Sequence, residues 1–585
     1  MLSLVTFSVL AISPVPSNSP SLPQKLLSPA PITQFLPADT PVVSLVNTKT
    51  ERWQSLSKFE LFNQIFTNVE KIFPAQSGLN YQTDIKPWLG EQIAFAFLPQ
   101  KDAKQVSLTE SFLILAAVKD EGQLQVLIDK FKNNNLQEIT ERQYKGVRIL
   151  EWKPPAPTAS DSPEDAPPVS TLPLKTSKLP KSFIAAIPDL PSLPVPKPNS
   201  IKNRGMAIAF LPGYLATAST AKPIEQLIDK PLGSANLAQN PNFKQTTQHP
   251  RYNQALFTLY EDPNKFLSLF KSFTQDPSLP FPIPPSAINS AQVEQYSSIN
   301  GFVWEQEQGL RLQLNTYRKK PSLINAFTPN SAQLLPRIPA PAYSATTGSN
   351  IYQQWQALVT IFNSNPQFKD GFAKFNQTIT SFTGLDLDKD ILGWMDGEYA
   401  LFFYPTKQGF LSSQTKMGLG FFVQTTNRPK AESTLNKLGE SIKSISSGAL
   451  SINTDDMESF SISNWKFGEQ SVFAYSWVDD KTLLISTGLG AMKELLPQPQ
   501  KQLAKDYNFA TGTSSLPFPN QGYFYINMGS SLSWVYSLAP TLFNTPDFQK
   551  FKQVIGSARS FSTTTTITNK QEQYDGLLVL APTKK

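Results

Sequence analysis

Three aspartates at alternate positions, Asp386, Asp388 and Asp390, have the spacing in this chain that most resembles a metal site. A D-x-D-x-D run opens the calcium loop of an EF-hand, whose sixth position is a glycine and whose twelfth is a glutamate that binds the ion with both oxygens. Here those two positions hold Ile391 and Gly397. The run therefore favours a solvated acidic turn over a calcium site.

A second candidate is the pair Gly488 and Gly490, which follows an apolar run and precedes a helical pattern. A loop in that position can bind phosphate through backbone N–H groups at the start of the helix. The third glycine of a dinucleotide-binding fingerprint is missing, however, and no G-K-[ST] sequence follows. We interpret the pair as a turn that glycine permits, and we expect no cofactor.

Side chains for covalent or metal catalysis are scarce. The chain has no cysteine, which excludes disulfides, thiol catalysis and thiolate metal sites, and it has a single histidine, His249, in a polar loop. No G-x-S-x-G sequence marks a serine nucleophile. Hydrolysis by a pair of carboxylates stays open, because 45 acidic residues offer many pairs that the sequence cannot place. We therefore assign no catalytic, cofactor-binding or metal-binding residue.

The strongest local motif is D-I-x-x-W, which occurs at Asp84 to Trp88 and again at Asp390 to Trp394. Each aspartate stands where the N-cap of a helical turn would accept backbone N–H groups. Each tryptophan follows an isoleucine by three residues, so both side chains share one face of the turn. Gly90 and Gly397 then end the turn before a strand. We predict a structural role with both tryptophans buried, and a ligand-binding role for them is the alternative.

The two motifs belong to an internal repeat. Residues 78–99 align with residues 384–405 without a gap, at an offset of 306 (384 − 78 = 306). Later in the chain, Trp152 corresponds to Trp465 at an offset of 313 (465 − 152 = 313). A fixed-offset repeat of this length sets the architecture, and we predict two homologous modules in tandem.

The first module carries an insertion. The offset falls to 267 at Phe257 and Phe524 (524 − 257 = 267), so the first copy holds 46 additional residues (313 − 267 = 46). Residues 154–200 account for them, because this stretch contains 13 of the chain's 50 prolines. Such a composition buries too little apolar surface to offset its ordering entropy. We predict an exposed loop there, and a docking site for a partner that reads proline motifs is the alternative.

The N-terminus resembles an export signal. Leu2 to Ile12 is an apolar run of 11 residues (12 − 2 + 1 = 11) followed by a Ser/Pro-rich stretch. That length suits the core of a signal peptide and is too short to span a bilayer. We predict an N-terminal segment at 1–31, a first module at 32–325 and a second at 331–582. We expect any membrane association to run through the N-terminal segment.

Apolar periodicity predicts helices and strands in both modules. The predicted helices are Phe62 to Phe73, Leu124 to Phe131, Phe368 to Phe382 and Leu435 to Ile445. The predicted strands include Ile93 to Leu98, Phe112 to Val118, Val147 to Trp152, Tyr399 to Tyr404, Leu419 to Val423, Phe460 to Trp465 and the alternating Leu310 to Leu314. Short strands outnumber helices, so the fold class is α+β, with each module mainly antiparallel sheet and packed amphipathic helices.

The motifs together resemble a known family. L-P-A-D-T-P-V-V at Leu36 to Val43, D-I-x-x-W-L-G at Asp84 to Gly90 and I-A-F-A-F-L-P at Ile93 to Pro99 look like the uncharacterised "domain of unknown function 3352" family. The resemblance runs from Phe35 to Pro582. It implies a protein found mainly in cyanobacteria, with a hydrophobic N-terminal segment for export or membrane tethering and no assigned activity. This chain departs from the family in having a short segment without Lys or Arg.

The formal net charge of +7 is small for 585 residues, and no basic stripe with interleaved aromatics gives support for nucleic-acid binding. We expect a non-catalytic, exported two-module binding or scaffolding protein in the periplasm, cell envelope or thylakoid lumen, with an unknown protein or hydrophobic ligand as its partner. A carrier of a hydrophobic small molecule or lipid and a carboxylate-dependent hydrolase are the alternatives. A large apolar cavity would favour the carrier, and buried acidic pairs in a cleft would favour the hydrolase.

Overall fold

The computed structural model describes residues 31–63, 80–100, 110–134, 139–152, 205–230, 235–273, 293–321, 329–364, 366–538 and 556–583. The apolar run of the N-terminal segment and the predicted loop at 154–200 lie outside the described residues. So does most of the helix predicted at Phe62 to Phe73.

The strands in the described part of the chain form one 20-stranded sheet. In chain order they are β1 (Val42–Asn47), β2 (Leu89–Phe97), β3 (Phe112–Val118), β4 (Ile139–Tyr144), β5 (Val147–Trp152), β6 (Met206–Leu211), β7 (Tyr214–Ala218), β8 (Phe257–Glu261), β9 (Tyr296–Gln306), β10 (Gly309–Arg318), β11 (Ser344–Ser349), β12 (Glu398–Pro405), β13 (Met417–Gln424), β14 (Leu450–Met457), β15 (Phe460–Phe467), β16 (Gln470–Trp477), β17 (Thr482–Ser486), β18 (Tyr523–Asn527), β19 (Ala558–Ile567) and β20 (Gln571–Leu580).

Helices connect and cover these strands. The α-helices within the described ranges are α1 (Thr50–Gln54), α2 (Glu121–Asn134), α3 (Lys222–Ile228), α4 (Pro241–Thr247), α5 (Pro263–Phe273), α6 (Ile351–Ser364), α7 (Pro366–Thr383), α8 (Ser412–Thr415), α9 (Arg428–Ile445), α10 (Leu489–Leu495), α11 (Tyr507–Thr513) and α12 (Met528–Leu538). Two short segments, Tyr81–Ile85 and Leu387–Leu392, are π-helical turns. Within the described residues, no helix is both long and apolar enough to cross a membrane.

All neighbouring strands in the sheet are antiparallel. The first ten strands lie side by side in the order β4-β5-β6-β7-β3-β2-β1-β8-β9-β10. The last ten lie in the order β14-β15-β16-β17-β13-β12-β11-β18-β19-β20. The two sets meet where β10 pairs with β20, with Gly309 opposite Val579 and Tyr317 opposite Gln571. We call this junction the seam.

The central strands of each half are buried on both faces of the sheet. Side chains alternate between faces along a strand, and in β3 the consecutive residues Leu115 and Ala116 are 0% and 6% exposed. Leu115 belongs to a core cluster with Ile224 of α3 and Phe243 of α4. Ala116 belongs to a second cluster, which includes residues of α2 on the opposite face. The second half of the chain is built the same way, with one cluster over α10 and α11 and another under α9.

The α+β class and the antiparallel strands are confirmed, and so are the helices expected near α2, α7 and α9. The bounds of the two modules stay a prediction. Seven strands lie where none was predicted, namely β1, β4, β7, β9, β11, β14 and β19. That all strands join one sheet was not predicted either. Pairing across the seam uses backbone N–H and C=O groups of residues more than 250 positions apart, so no local sequence pattern reports it.

Candidate functional site

The first D-I-x-x-W motif builds a capped π-helical turn before β2. The Asn80 side chain accepts hydrogen bonds from the N–H groups of Gln82 (2.8 Å) and Thr83 (3.2 Å). Asp84 Oδ2 in turn accepts from Asn80 N at 2.8 Å. The prediction that Asp84 is the N-cap is therefore wrong, because Asn80 holds that position and Asp84 returns a bond to it from inside the turn.

The second motif repeats this arrangement. The N-cap is Asp386, whose side chain accepts from Lys389 N at 2.8 Å, and Asp390 Oδ2 accepts from Asp386 N at 2.9 Å. The N-cap assignment of Asp390 is thus wrong for the same reason. Asp388 accepts a bond from Trp355 Nε1. All three aspartates of the D-x-D-x-D run therefore accept hydrogen bonds from protein donors, and the run has a structural role as an acidic turn.

Both motif tryptophans are buried. Trp88 is 5% exposed and Trp394 is 2% exposed, each in a core cluster that includes the helix behind it. Trp88 Nε1 donates to the Asp84 carbonyl oxygen at 2.9 Å. Burial leaves neither indole surface open to a ligand, so the structure favours the anchoring role over the binding role.

At Gly90 and Gly397, a neighbouring strand lies so close that there is no room for a side chain. A Cβ atom at Gly90 would lie 2.9 Å from the Cβ of Ala117, and one at Gly397 would lie 2.6 Å from the Cβ of Gln424. The turns themselves end earlier, at Lys86 and at Gly393. The expectation that the two glycines end the helical turn is therefore wrong. They lack side chains because a neighbouring strand occupies that space.

An ion pair ties the first motif to α2. Lys130 Nζ lies 2.7 Å from Asp84 Oδ2, and the Asp84 side chain is only 10% exposed. Burial alone would raise the pKa of Asp84, but the bonds from Lys130 and from the Asn80 backbone outweigh it and lower the pKa. In the second motif, Thr434 Oγ1 of α9 donates to the Asp390 carbonyl oxygen at 2.8 Å instead. Both constellations serve folding.

The glycine pair before α10 also has a structural use. Gly488 has a φ of +103°, which favours glycine. The N–H of Leu489 donates to Ser471 Oγ at 2.7 Å. The sequence predicts a turn here that only glycine adopts readily, and the positive φ of Gly488 agrees with it.

A cavity of about 570 Å³ lies at the seam, and we call it the seam cavity. Its floor is one face of β9, β10 and β20, because Arg311 is directly opposite Trp304 and Gln313 is directly opposite Asp575. Gln573 lies on the same face of β20 and completes the floor. This face carries polar side chains where the neighbouring regions of the sheet carry a hydrophobic core.

The walls of the seam cavity come from both halves of the chain. Arg251 and Gln254 follow α4 in the first half, and Ser515 and Pro517 follow α11 in the second. The end of β9 adds further lining residues. The cavity therefore exists only when the two halves are joined at the seam.

Asp575 is the centre of the polar floor and is 0% exposed. Its Oδ1 accepts from Arg311 Nη2 at 2.7 Å and from Gln313 Nε2 at 3.3 Å, and its Oδ2 accepts from Gln573 Nε2 at 2.7 Å. Three donors fix this carboxylate in one orientation. Arg311 is itself 5% exposed, and burial, its largest influence, lowers the guanidinium pKa although Asp575 opposes that shift.

The cavity mouth is shaped by an aromatic stack. The Arg251 guanidinium lies 4.8 Å from the centre of the Trp304 ring, and Arg251 Nη1 donates to Gln254 Oε1 at 2.8 Å. His249 stacks on Phe302 with ring centres 4.4 Å apart, and its Nδ1 accepts from Arg251 N at 3.2 Å. His249, which the sequence analysis assigned to a polar loop, is thus half-buried. Its hydrogen bond to the backbone helps to hold Arg251 in place.

Sequence reasoning missed every residue of the seam cavity. One signal was present in the alternation Leu310-Arg311-Leu312-Gln313-Leu314, which places an arginine and a glutamine on the face opposite the leucines. An arginine in a long half-buried strand requires a partner. Its partner, Asp575, lies 264 residues away, which no local pattern indicates.

Comparison with known proteins gives one family and distant structural likeness. The model of the family described as "Protein of unknown function (DUF3352)" matches residues 1–580. No curated protein matches the sequence. Crystal form I of TP0453 aligns at 9% identity with a TM-score of 0.23, covering 50% of this chain and 80% of that one. Crystal form III of TP0453 aligns at 10% identity with a TM-score of 0.22, covering 50% and 81%. Likeness this distant carries no argument about function.

Proposed function

The chain belongs to the DUF3352 family of proteins of unknown function, and we propose that it is a non-catalytic binding protein of two homologous modules whose ligand site is the seam cavity. The observation that carries this proposal is the cavity itself, a polar depression of about 570 Å³ built jointly by both halves. Cavities of this size accommodate small molecules.

The two-module part of the proposal rests on strand order. Adding ten to each strand number of the first set, from β4 to β10, reproduces the second set, from β14 to β20. The two π-helical turns precede β2 and β12, which correspond in this numbering. A duplication of one ancestral module accounts for both features, and pairing of β10 with β20 then joins the copies through equivalent strands.

Binding fits the seam cavity better than hydrolysis does. Two carboxylates line the cavity, and both are engaged, since Asp575 accepts from three donors and Glu305 pairs with Lys58. A hydrolase needs a carboxylate that can exchange a proton with its substrate. Glu261 has a pKa raised to about 7 by burial and by Asp262, but it does not line the cavity. These observations favour a binding role.

The seam cavity also does not suit a hydrophobic ligand. Four of its lining residues carry charge, and four more are glutamines. Transfer of an apolar molecule into such surroundings would desolvate charged and amide groups without replacing their hydrogen bonds. A polar ligand is the better fit, so we place the carrier of hydrophobic molecules second.

We further propose that the protein is exported to the periplasm, cell envelope or thylakoid lumen. The apolar run at Leu2 to Ile12 supports this. Fusion of residues 1–31 to an enzyme that is active only after export would test it. Reporter activity that is lost when Leu10 is replaced by Arg would support export, and activity confined to the cytoplasm would contradict it.

A ligand screen tests the binding function. The full chain and a Ser515→Trp variant, which fills the exposed edge of the cavity, are heated with a library of small metabolites. We expect at least one compound to raise the melting temperature of the wild type and not that of the variant, and to be recovered chemically unchanged. Compounds that stabilise both proteins equally would contradict the proposed site, and chemical conversion of the ligand would contradict a non-catalytic role.

A further inference from the structure

The seam cavity has an unbalanced positive charge. Arg311 pairs with Asp575 at 2.7 Å, and Glu305 pairs with Lys58. The remaining charged lining residue, Arg251, has no carboxylate partner among the described residues. Arg251 is exposed at the cavity, and its guanidinium contacts two neutral groups, the Trp304 ring and the Gln254 amide. The lining itself has two arginines and two carboxylates, but Lys58 neutralises Glu305 from outside the lining, so the charge of Arg251 is left unbalanced.

A second guanidinium contributes an unused donor. Arg311 Nη1 is buried and has no hydrogen-bond partner within the described residues, although Nη2 of the same group bonds Asp575. Burial of an unsatisfied donor on a charged group is costly. Arg251 is near enough to Arg311 to repel it, which adds to the effect of burial in lowering the pKa of Arg311. Because Nη1 has no accessible surface, an anionic ligand would bind Arg251 instead, and its negative charge would offset the repulsion between the two guanidinium groups.

The floor also offers acceptors. The side-chain N–H groups of Gln313 and Gln573 donate to Asp575, and that of Gln306 donates to Gln308 Oε1 at 3.1 Å. Their amide oxygens receive no side-chain or backbone donor from the part of the chain that the structure describes. Because an amide oxygen only accepts, these three groups select a ligand that carries donors such as hydroxyl groups.

We propose that the seam cavity binds a hydroxyl-rich monocarboxylate of the sugar-acid class. Its carboxylate would accept from the exposed guanidinium of Arg251, and its hydroxyls would donate to the amide oxygens of Gln306, Gln313 and Gln573. A single unbalanced positive charge matches a monoanion better than a dianionic phosphate. This assignment rests on the proposed binding function and names its ligand class.

Calorimetric titration with three compounds of similar size tests the assignment. Glucuronate carries one negative charge, glucose none and glucose 6-phosphate up to two. Each is titrated into the full-length wild type, an Arg251→Gln variant and a Lys244→Gln variant. Lys244 is an exposed residue of α4 that does not line the cavity, so its variant changes the net charge equally without touching the site.

We expect glucuronate to bind the wild type and the Lys244→Gln variant with equal affinity, and to bind the Arg251→Gln variant at least tenfold more weakly, as loss of a charge-assisted hydrogen bond implies. Glucose should bind at least tenfold more weakly than glucuronate. Equal binding of glucose, or undiminished binding to the Arg251→Gln variant, would overturn the carboxylate assignment. Tighter binding of glucose 6-phosphate would overturn it in favour of a phosphate ligand.

The failure of this assignment is distinguishable from failure of the proposed function. If none of the three compounds binds while the metabolite screen yields a ligand that Ser515→Trp excludes, the sugar-acid class is wrong and the binding function stands. If the screen yields no ligand either, both are wrong. Melting temperatures of the variants show whether each is folded, and Ser515→Trp supplies a second cavity variant if Arg251→Gln is not.

Discussion

Arg311 on β10 and Asp575 on β20 form a buried ion pair across the seam, with Nη2 of the arginine 2.7 Å from Oδ1 of the aspartate. The two side chains are 6% and 0% exposed, although they are 264 residues apart in the chain. Among the strands that the structure describes, the pair sits at the pairing that joins the first ten to the last ten. It therefore makes the stability of the seam depend on both halves together.

Breaking this pair should destabilise the protein strongly. Arg311→Met leaves the Asp575 carboxylate buried with only two amide donors, and removal of one partner of a buried pair costs about 3–5 kcal/mol of unfolding free energy. Lys132→Met, which removes the surface pair with Glu141, should cost no more than about 1 kcal/mol. Urea unfolding measures both. A loss for Arg311→Met as small as that of the surface control would mean that the seam does not depend on the pair.

Truncation of the second motif tryptophan should also be costly. Trp394 is 2% exposed and packs on Val423 and Leu435. Trp394→Ala should lower the unfolding free energy by about 3–5 kcal/mol, as large core truncations do. Phe518→Ala, at a residue that is 62% exposed, is the control and should change it by less than about 0.5 kcal/mol. An unchanged melting temperature for Trp394→Ala would reject the anchoring role.

The close approach at Gly397 predicts opposite effects for two glycine substitutions. Gly397→Ala would place a Cβ 2.9 Å from the carbonyl oxygen of Gln424, and such overpacking costs about 1–3 kcal/mol. Gly371 lies within α7, and a Cβ there would meet nothing within 4 Å. Gly371→Ala should therefore stabilise the protein by about 0.5–1 kcal/mol. Melting temperatures that move in the same direction for both variants would contradict this account of Gly397.

Glu261 should make stability fall as pH rises. Burial, with a smaller contribution from Asp262, raises its pKa from 4.5 to about 7 in the folded chain. Since the unfolded chain ionises this group near its ordinary pKa, the stabilisation is fully present below about pH 4 and is lost as pH rises through 7. Glu261→Gln should remove this dependence, a relative gain of up to about 3 kcal/mol between pH 4 and pH 8. The exposed control Glu51→Gln should keep the wild-type profile. Parallel pH profiles for wild type and Glu261→Gln would reject the shift.

Local patterns predicted local features of this chain well. Helical spacing of apolar residues located α2, α7 and α9, and the D-I-x-x-W spacing predicted that Trp88 and Trp394 are buried. The cap was misplaced by four residues because the turn is π-helical and is capped by the residue that opens it, Asn80 or Asp386. A side chain inside the turn and a true N-cap both accept backbone N–H groups, so residue type alone does not separate them.

The seam cavity could not be predicted in the same way. Alternation in β10 placed Arg311 and Gln313 on one face, but the residues that meet them come from β20 and from the loops after α4 and α11. These contacts depend on the register between strands far apart in sequence. A single sequence shows the periodicity of each strand and not which strand lies beside it.

The predicted loop at 154–200 should be dispensable for folding. The strands that flank it already meet, because Trp152 at the end of β5 is paired with Met206 at the start of β6. In the second half the corresponding strands β15 and β16 are joined by the two residues Gly468 and Glu469, with Phe467 paired to Gln470. Gly468 has a φ of +57°, which suits a tight hairpin turn.

Replacing residues 153–205 by Gly-Glu should therefore give the first half the same tight connection. We expect a soluble protein that melts cooperatively within a few degrees of the wild type, because no described strand or helix is removed and a shorter loop costs less closure entropy. A variant in which residues 154–200 are scrambled at constant composition is the control for loop length. Limited proteolysis should cut the wild type first within this stretch and leave the deletion variant intact there. An insoluble deletion product beside a soluble scrambled one would show that the connection itself is too short. Failure of both would mean that the sequence of the insert packs on the body, with Phe183 to Ile187 as the first segment to restore.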